Sequence, residues 1–186
     1  ALNYFREEVK KAGFPGLHLQ FIGRGRNGEP FLMRGKYVQN YDIHEIISRL
    51  GINSLTSYQW VHFGLNEDYI KWGENAFSLM NKWDELLEIP FFPHISIGWD
   101  NTPRYPDKGK ESVVHIHNSP ASFGAYLQKA KEYTDDHPDE YNLITINAWN
   151  EWVEGSYLEP DMRWGYGYLE AVEKIMNGKY DIYNND

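Results

Sequence analysis

The sequence predicts an α/β protein whose parallel sheet is curved like the wall of a (β/α)8 barrel of TIM type, with about four βα units present. Three observations lead there. Strand-like and helix-like stretches alternate with long connections, and such crossovers return the chain parallel to its starting strand. Each strand-like stretch sets small polar residues against apolar ones. In an open doubly wound sheet both faces lie under helices and strands run apolar throughout, so a polar face fits a barrel interior better. Finally, a full barrel has eight strands and typically ~250 residues. Four strands in 186 residues fit the C-terminal half, a single domain over residues 1–186. The missing N-terminal half would lie in other polypeptide. The start at Ala1 rather than Met reads as a processed chain or an excised piece.

The elements follow in order. Asn3 to Ala12 is an amphipathic helix closed by Gly13 and Pro15, and Leu17 to Ile22 a strand. After a Gly/Arg-rich loop, Asp42 to Leu50 is a helix ended by Gly51, and Asn53 to Trp60 a second strand. Asn66 is placed to cap a helix running to about Glu88, with Glu67 and Asp68 in its first turn and Pro90 beyond its end. Phe91 to Gly98 is the third strand. Ser119-Pro120 is a cap and first-turn pair that starts a helix to about Tyr133. Leu143 to Trp149 is the fourth strand and Gly165 to Met176 the last helix. On the polar side of these strands lie His18, Gln20, Ser54, Thr56, His94, Ser96, Thr145 and Asn147.

Composition narrows the function. Eighteen Lys and Arg against 27 Asp and Glu give a net charge of −9, which speaks against nucleic acid and anionic membrane as partners. No apolar run reaches the ~20 residues of a membrane span. Cysteine is absent, so disulfides and thiolate metal sites are excluded, while the compartment stays open between bacterial cytoplasm and periplasm. Aromatic residues reach 16%, with 7 Trp and 14 Tyr. Such rings build cores, and they also stack on the C–H faces of sugars while their polar tips take hydrogen bonds.

The densest chemistry lies in residues 146–161. Glu151, Glu154, Glu159 and Asp161 sit beside Trp149, Asn150, Trp152 and Tyr157, at the carboxyl end of the fourth strand, where barrel enzymes carry their sites. Glu151 shares the parity of Thr145 and Asn147, and Glu154 follows where the chain can bend back. Two carboxylates in different surroundings can divide acid and base roles. At the end of the third strand, Trp99 and Asp100 lie in the run 98–104. Asp100 has inward parity and suits a substrate hydroxyl, or else closes an Asp-Asn turn with Pro103 and Arg104. Residues 23–28 match G-x-G-x-x-G, but Glu29-Pro30 follows where a helix should open, so the segment is a Gly-rich βα loop and no dinucleotide site. Arg24 and Arg26 could face an anionic group. His115 and His117 have no third ligand at a metal-site spacing, so neither metal nor cofactor is expected.

The segment Asn150-Glu151-Trp152-Val153-Glu154-Gly155 resembles the signature of glycoside hydrolase family 99, retaining endo-acting α-mannosidases and α-mannanases on a (β/α)8 barrel. The longer runs 98–104 and 147–161 resemble the related WbsX-like proteins, usually described as glycosyltransferases of polysaccharide and lipopolysaccharide biosynthesis. The resemblance covers nearly the whole chain, aligned to the family's C-terminal half. It implies that Glu151 takes the proton of a sugar 2-hydroxyl as that oxygen attacks the anomeric carbon, giving a 1,2-anhydro sugar. It implies that Glu154 protonates the leaving oxygen and later activates water. The hydrolase family often has His where this chain has Val153.

The expected function is that of a carbohydrate-active enzyme cleaving or transferring α-linked, mannose-type glycosyl units of an oligosaccharide or polysaccharide. Glu151 and Glu154 are catalytic. Asp100, Trp99, Asn150, Trp149, Trp152, Tyr157, Glu159 and His94 bind substrate. A glycosyltransferase of surface-polysaccharide assembly and a non-catalytic glycan-binding domain are the alternatives.

Overall fold

The computed structural model describes residues 1–26, 29–31, 42–64, 68–138 and 141–178. Among them the chain alternates strand and helix. Helix α1 is Leu2–Lys11, strands β1 and β2 are Gln20–Arg26 and Glu29–Phe31, and α2 is Ile43–Leu50. Strand β3 (Ser54–Ser57), helix α3 (Tyr69–Leu86) and strands β4 (Phe91–Phe92) and β5 (His94–Ser96) follow. Helix α4 (Pro120–Asp136), strands β6 (Thr145–Asn147), β7 (Asn150–Glu151) and β8 (Ser156–Tyr157) and helix α5 (Gly167–Met176) complete the order.

The four expected strands lie side by side and parallel. Gln20 of β1 stands opposite Ser54, Leu55 of β3 opposite Phe91, and His94 of β5 opposite Thr145 of β6. Strands β4 and β5 are one strand interrupted at Pro93. Proline has no N–H to give, but its carbonyl still accepts from Thr145 N at 2.9 Å, so the chain pairs with β3 before Pro93 and with β6 after it. Helices α2, α3 and α4 are the crossovers between successive parallel strands.

The alternation has the expected two faces. Leu55, Phe91, Ile95 and Ile97 join the core together with Trp72, Ala76, Met80 and Trp83 of α3 and Phe123, Leu127 and Ala130 of α4. Those helical positions recur every three or four residues, one stripe per helix. Gly73 lets the two helices meet, because a Cβ there would lie 2.3 Å from the Tyr126 ring. Much of the aromatic content is spent here. Trp60, Trp72, Trp83 and Tyr69 are fully buried. Trp60 Nε1 donates to His94 O at 2.8 Å, Trp72 Nε1 to Trp60 O at 2.7 Å and Tyr69 Oη to Ser96 O at 2.6 Å.

The polar face bonds across strands. His18 Nε2 lies 2.7 Å from Ser54 Oγ, Thr56 Oγ1 3.3 Å from Thr145 Oγ1, and His94 Nδ1 2.8 Å from Thr145 Oγ1.

Several local expectations are corrected. The Gly/Arg-rich segment is no βα loop: β1 runs on to Arg26 and turns back antiparallel into β2, pairing Arg24 with Phe31. Helix α3 is capped by Asp68, whose carboxylate accepts from Ile70 N at 2.9 Å; the expected cap Asn66, with Glu67, lies outside the described residues. Helix α4 continues to Asp136 and α5 starts at Gly167. Asp42 caps α2, and its C-terminal carbonyls, Leu50 O and Gly51 O, accept from the Arg6 guanidinium, at 2.5 and 3.0 Å. The Ser119 cap stands as expected, in a reciprocal box with Ser122.

Candidate active site

Strand β6 ends at Asn147, earlier than its pattern implies, so parity does not carry through to Glu151. Instead residues 150–157 fold into a separate antiparallel hairpin, with Asn150 opposite Tyr157 and Glu151 opposite Ser156. Buried Ser156 fastens it to the strand: its Oγ donates toward Asn147 O at 2.8 Å and Asn147 Oδ1 at 2.7 Å. The tip is one turn of 3-10 helix, Trp152–Glu154, closed by Gly155 at φ 60°. At about three residues per turn, positions 151 and 154 fall on the same side. The spacing in the sequence therefore does place the two carboxylates together, by a turn rather than by strand parity.

One guanidinium holds both. Arg104 Nη1 donates to Glu154 Oε1 in a very short contact, and Arg104 Nη2 lies 3.5 Å from Glu151 Oε2. Glu154 is the enclosed member, with 12% of its side chain exposed against 45% for Glu151. Burial raises the Glu154 pKa above the usual carboxylate range, Arg104 pulls it down and the Glu151 charge pushes it up again, with a net upward shift. Arg104 is the residue that sequence reasoning left out of the site. Its signal was there: it closes the same 98–104 run as Asp100.

Asp100 meets this pair through the backbone. Its N–H donates to Glu154 O at 2.7 Å, while its Oδ1 accepts from Thr102 N at 2.9 Å and from the Thr102 hydroxyl. The Asp-Asn turn is thus formed, and Asp100 also lines a cavity of about 470 Å³ on the other side of Gly155. On the hairpin, Trp152 stacks on Tyr157 with ring centroids 3.8 Å apart, and Trp152 Nε1 donates to Glu159 Oε2 at 2.5 Å. Tyr157 Oη donates to Asp161 Oδ2 at 3.0 Å. Trp149 and Asn150 are exposed, whereas Trp99 packs in the core. His94 lies deeper, buried on the polar face, and burial pushes its pKa down to about 3, so the ring is neutral. His115 and His117 both line that cavity but take different partners: His115 stacks on Trp72 at 3.7 Å and His117 bonds to Asp68. Among the described residues no three His, Asp or Glu side chains are placed to hold a metal ion, and no helix is long and apolar enough to cross a membrane.

Solved structures show likeness of fold. The fold is shared with a glycoside hydrolase-like protein, at a TM-score of 0.56 and 15% identity, over 94% of this chain and 48% of that one. A family 99 endo-α-mannosidase of Bacteroides thetaiotaomicron is similar more weakly, with a TM-score of 0.43 and 17% identity over 72% of this chain and 43% of that one. The family model described as glycosyltransferase WbsX matches residues 1–172, and the chain belongs to that family of carbohydrate-active enzymes. Two curated relatives, uncharacterized WxcX proteins from two strains of Xanthomonas campestris pv. campestris, are each 33% identical over 116 residues. That stretch is 62% of this chain and 16% of each relative, so the chain spans a small part of their length.

Proposed function

We propose that this chain is the C-terminal half of a (β/α)8 barrel that cleaves or transfers α-linked glycosyl units of a glycan, with Glu151 as base and Glu154 as acid. The observation that carries the reading is the enclosed Glu154 beside the more open Glu151 at the carboxyl ends of parallel strands. Two carboxyl groups of unequal environment divide acid and base work. Membership in the WbsX family and the glycoside hydrolase-like fold support a sugar substrate. Support for a half-barrel comes from the parallel order of the strands and from inward-parity side chains left open, Ile22 at 52% exposure and Leu143 at 42%. A second set of strands would cover them.

Glu151 accepts the proton of the 2-hydroxyl while O2 bonds to C1. The bond from C1 to the leaving oxygen breaks as Glu154 gives that oxygen its proton. Water or an acceptor hydroxyl then passes its proton to Glu154 and attacks C1. The O2–C1 bond opens and Glu151 returns the proton to O2. Two inversions give net retention. Arg104, in contact with both carboxylates, must swing aside or be displaced before Glu154 can donate. Its partial exposure leaves it room to move.

The family description favours a second reading, transfer to a sugar acceptor rather than to water. The test uses the full-length protein that contains this chain, with an α-mannan and aryl α-mannosides as substrates. Glu154→Gln should lose about 10²–10⁴ in rate on poor leaving groups and less on aryl ones. Glu151→Gln should lose rate on all of them. Free reducing sugar marks hydrolysis, and a lengthened acceptor marks transfer. If both variants keep near-wild-type rates, the acid pair is not catalytic and a glycan-binding role takes its place.

A further inference from the structure

The 470 Å³ cavity does not include the glutamate pair, and only Asp100 and Tyr157 of its lining have a role so far. It lies between two segments that leave the strand ends. One is 97–100 with its antiparallel neighbour 114–118; the other is 155–168. Its volume falls within the ~300–1,000 Å³ usual for small-molecule sites. Its wall is the back of the catalytic hairpin: Tyr157 lines it and stacks on Trp152, and Asp100 lines it while its N–H holds Glu154 O.

Its lining is polar groups among aromatic faces. His117 is the unusual member. It takes a left-handed backbone, φ 63°, which side chains other than glycine adopt at a cost. It is 73% exposed at the side chain, and its ring is held by Asp68, with Nδ1 2.6 Å from Asp68 Oδ2. A carboxylate can only accept, so Nδ1 carries the proton, and Nε2 is left as the ring's second hydrogen-bonding atom. The same hydrogen bond draws the Asp68 pKa down. Asn118 adds an amide whose Nδ2 lies 3.3 Å from Tyr168 Oη. Trp164 and Tyr168 supply ring surface.

We propose that this cavity is a second saccharide subsite, holding one neutral hexosyl residue of the glycan next to the unit processed at Glu151 and Glu154, with His117 hydrogen-bonding one of its hydroxyls. This rests on the glycan reading above and adds to it where a neighbouring sugar sits and what it must be. A phosphate fits poorly. Asp100, Asp161 and Arg163 all line the cavity, so two carboxylates stand against one guanidinium, and that guanidinium lies over the Trp164 ring, 4.9 Å from its centroid. Asp161 is already spent on the Arg163 and Trp164 N–H groups and on Tyr157 Oη. It brings negative charge without reach for an anion. Hydroxyls meeting acceptors and C–H faces meeting rings describe a neutral sugar.

The test measures binding rather than turnover, by ligand-observed NMR on the full-length protein. The probes are free D-mannose, D-glucose, D-galactose and N-acetyl-D-glucosamine, with inorganic phosphate and α-D-mannose 1-phosphate as anionic comparators. The proteins are wild type, His117→Ala, Ile116→Trp and the double variant Glu151→Gln/Glu154→Gln. Ile116 lines the cavity from a half-exposed position, so the larger ring fills space without disturbing the core. At least one neutral hexose should bind the wild type and the double variant alike, and should weaken tenfold or more in His117→Ala and Ile116→Trp. If His117→Ala fails to fold, Ile116→Trp carries the comparison alone. The proposal is overturned if no neutral hexose binds, if binding survives in Ile116→Trp, or if either phosphate binds more tightly than every neutral sugar. Because the double variant keeps this cavity, failure here is separable from failure of the acid pair.

Discussion

Along the inner face of the strands, His94, Thr145, Thr56 and Ser96 hydrogen-bond to one another; at the carboxyl ends, one guanidinium stands between two carboxylates. Both regions are polar. They differ in what surrounds the polar groups. His94 is sealed and neutral, and Ser96 Oγ accepts from Trp60 N at 3.0 Å. Such a network stabilises the fold because its members satisfy one another away from water. At the hairpin, charges of opposite sign share a half-open site, and the more enclosed acid is shifted upward. Inward parity alone therefore does not mark reactivity. On the proposed reading, what marks it is unequal exposure of like groups around a shared counter-charge.

The sharpest test of the sealed region is His94→Ala. It removes a buried ring and leaves Thr145 and Ser96 without that partner, which should cost about 2–4 kcal/mol of stability by denaturant unfolding. The wild type should also show a characteristic pH dependence. The folded pKa of about 3 lies below the ordinary 6.5, so between those values the unfolded chain binds a proton that the folded one refuses. Stability should fall as pH drops through that window, by up to about 1.4 kcal/mol per unit from this one group. The slope should be shallower in His94→Ala. Equal slopes would mean that His94 titrates freely and that the inner face is wet.

The hairpin should break at Gly155. A Cβ there would lie 3.0 Å from Asp100 Cβ and 3.1 Å from Asp100 N, on a backbone at φ 60°. Gly155→Ala should cost about 1–3 kcal/mol and depress the rate on every substrate, since it moves Glu154 relative to Glu151. Gly165 has a similar φ of 56° but nothing within 4 Å of a built Cβ. Gly165→Ala should therefore cost less, about 1 kcal/mol, and separate backbone strain from crowding. Comparable losses in both would make the close approach to Asp100 irrelevant.

The two regions were not equally legible in the sequence. Alternation placed Ser54, Thr56, His94, Ser96 and Thr145 on one face because side chains in a strand alternate with period two, and the structure pairs them as that demands. The carboxylate pair was visible as a cluster, but the geometry that joins it was not. Strand β6 stops at Asn147, where Ser156 takes both the carbonyl and the side chain of that residue, and this is a contact between positions nine apart. Arg104 reaches Glu154 across 50 residues, beyond any local pattern. The β1 hairpin was missed for a related reason. Glycines read as loop, yet Gly23 is in the strand because the Trp83 ring occupies the space a side chain would need, 3.0 Å from a built Cβ.

The smallest expected effect, and the most specific, comes from Arg104→Gln. Partly exposed ion pairs contribute about 0–1 kcal/mol, so the unfolding midpoint should barely move. The titration of Glu154 should move visibly. Arg104 is the group that lowers its pKa, while burial and the Glu151 charge both raise it. Removing the guanidinium leaves only the two raising influences, so Glu154 should hold its proton to higher pH than in the wild type. Side-chain carboxyl shifts followed by carbon NMR across the titration would show this without any substrate. If Glu154 is the acid of the reaction, the alkaline limb of the rate profile should rise in step, because that limb records loss of the acid's proton. A carboxyl titration that shifts while the rate limb stays in place would leave the electrostatics of the hairpin intact and remove Glu154 from the acid's role.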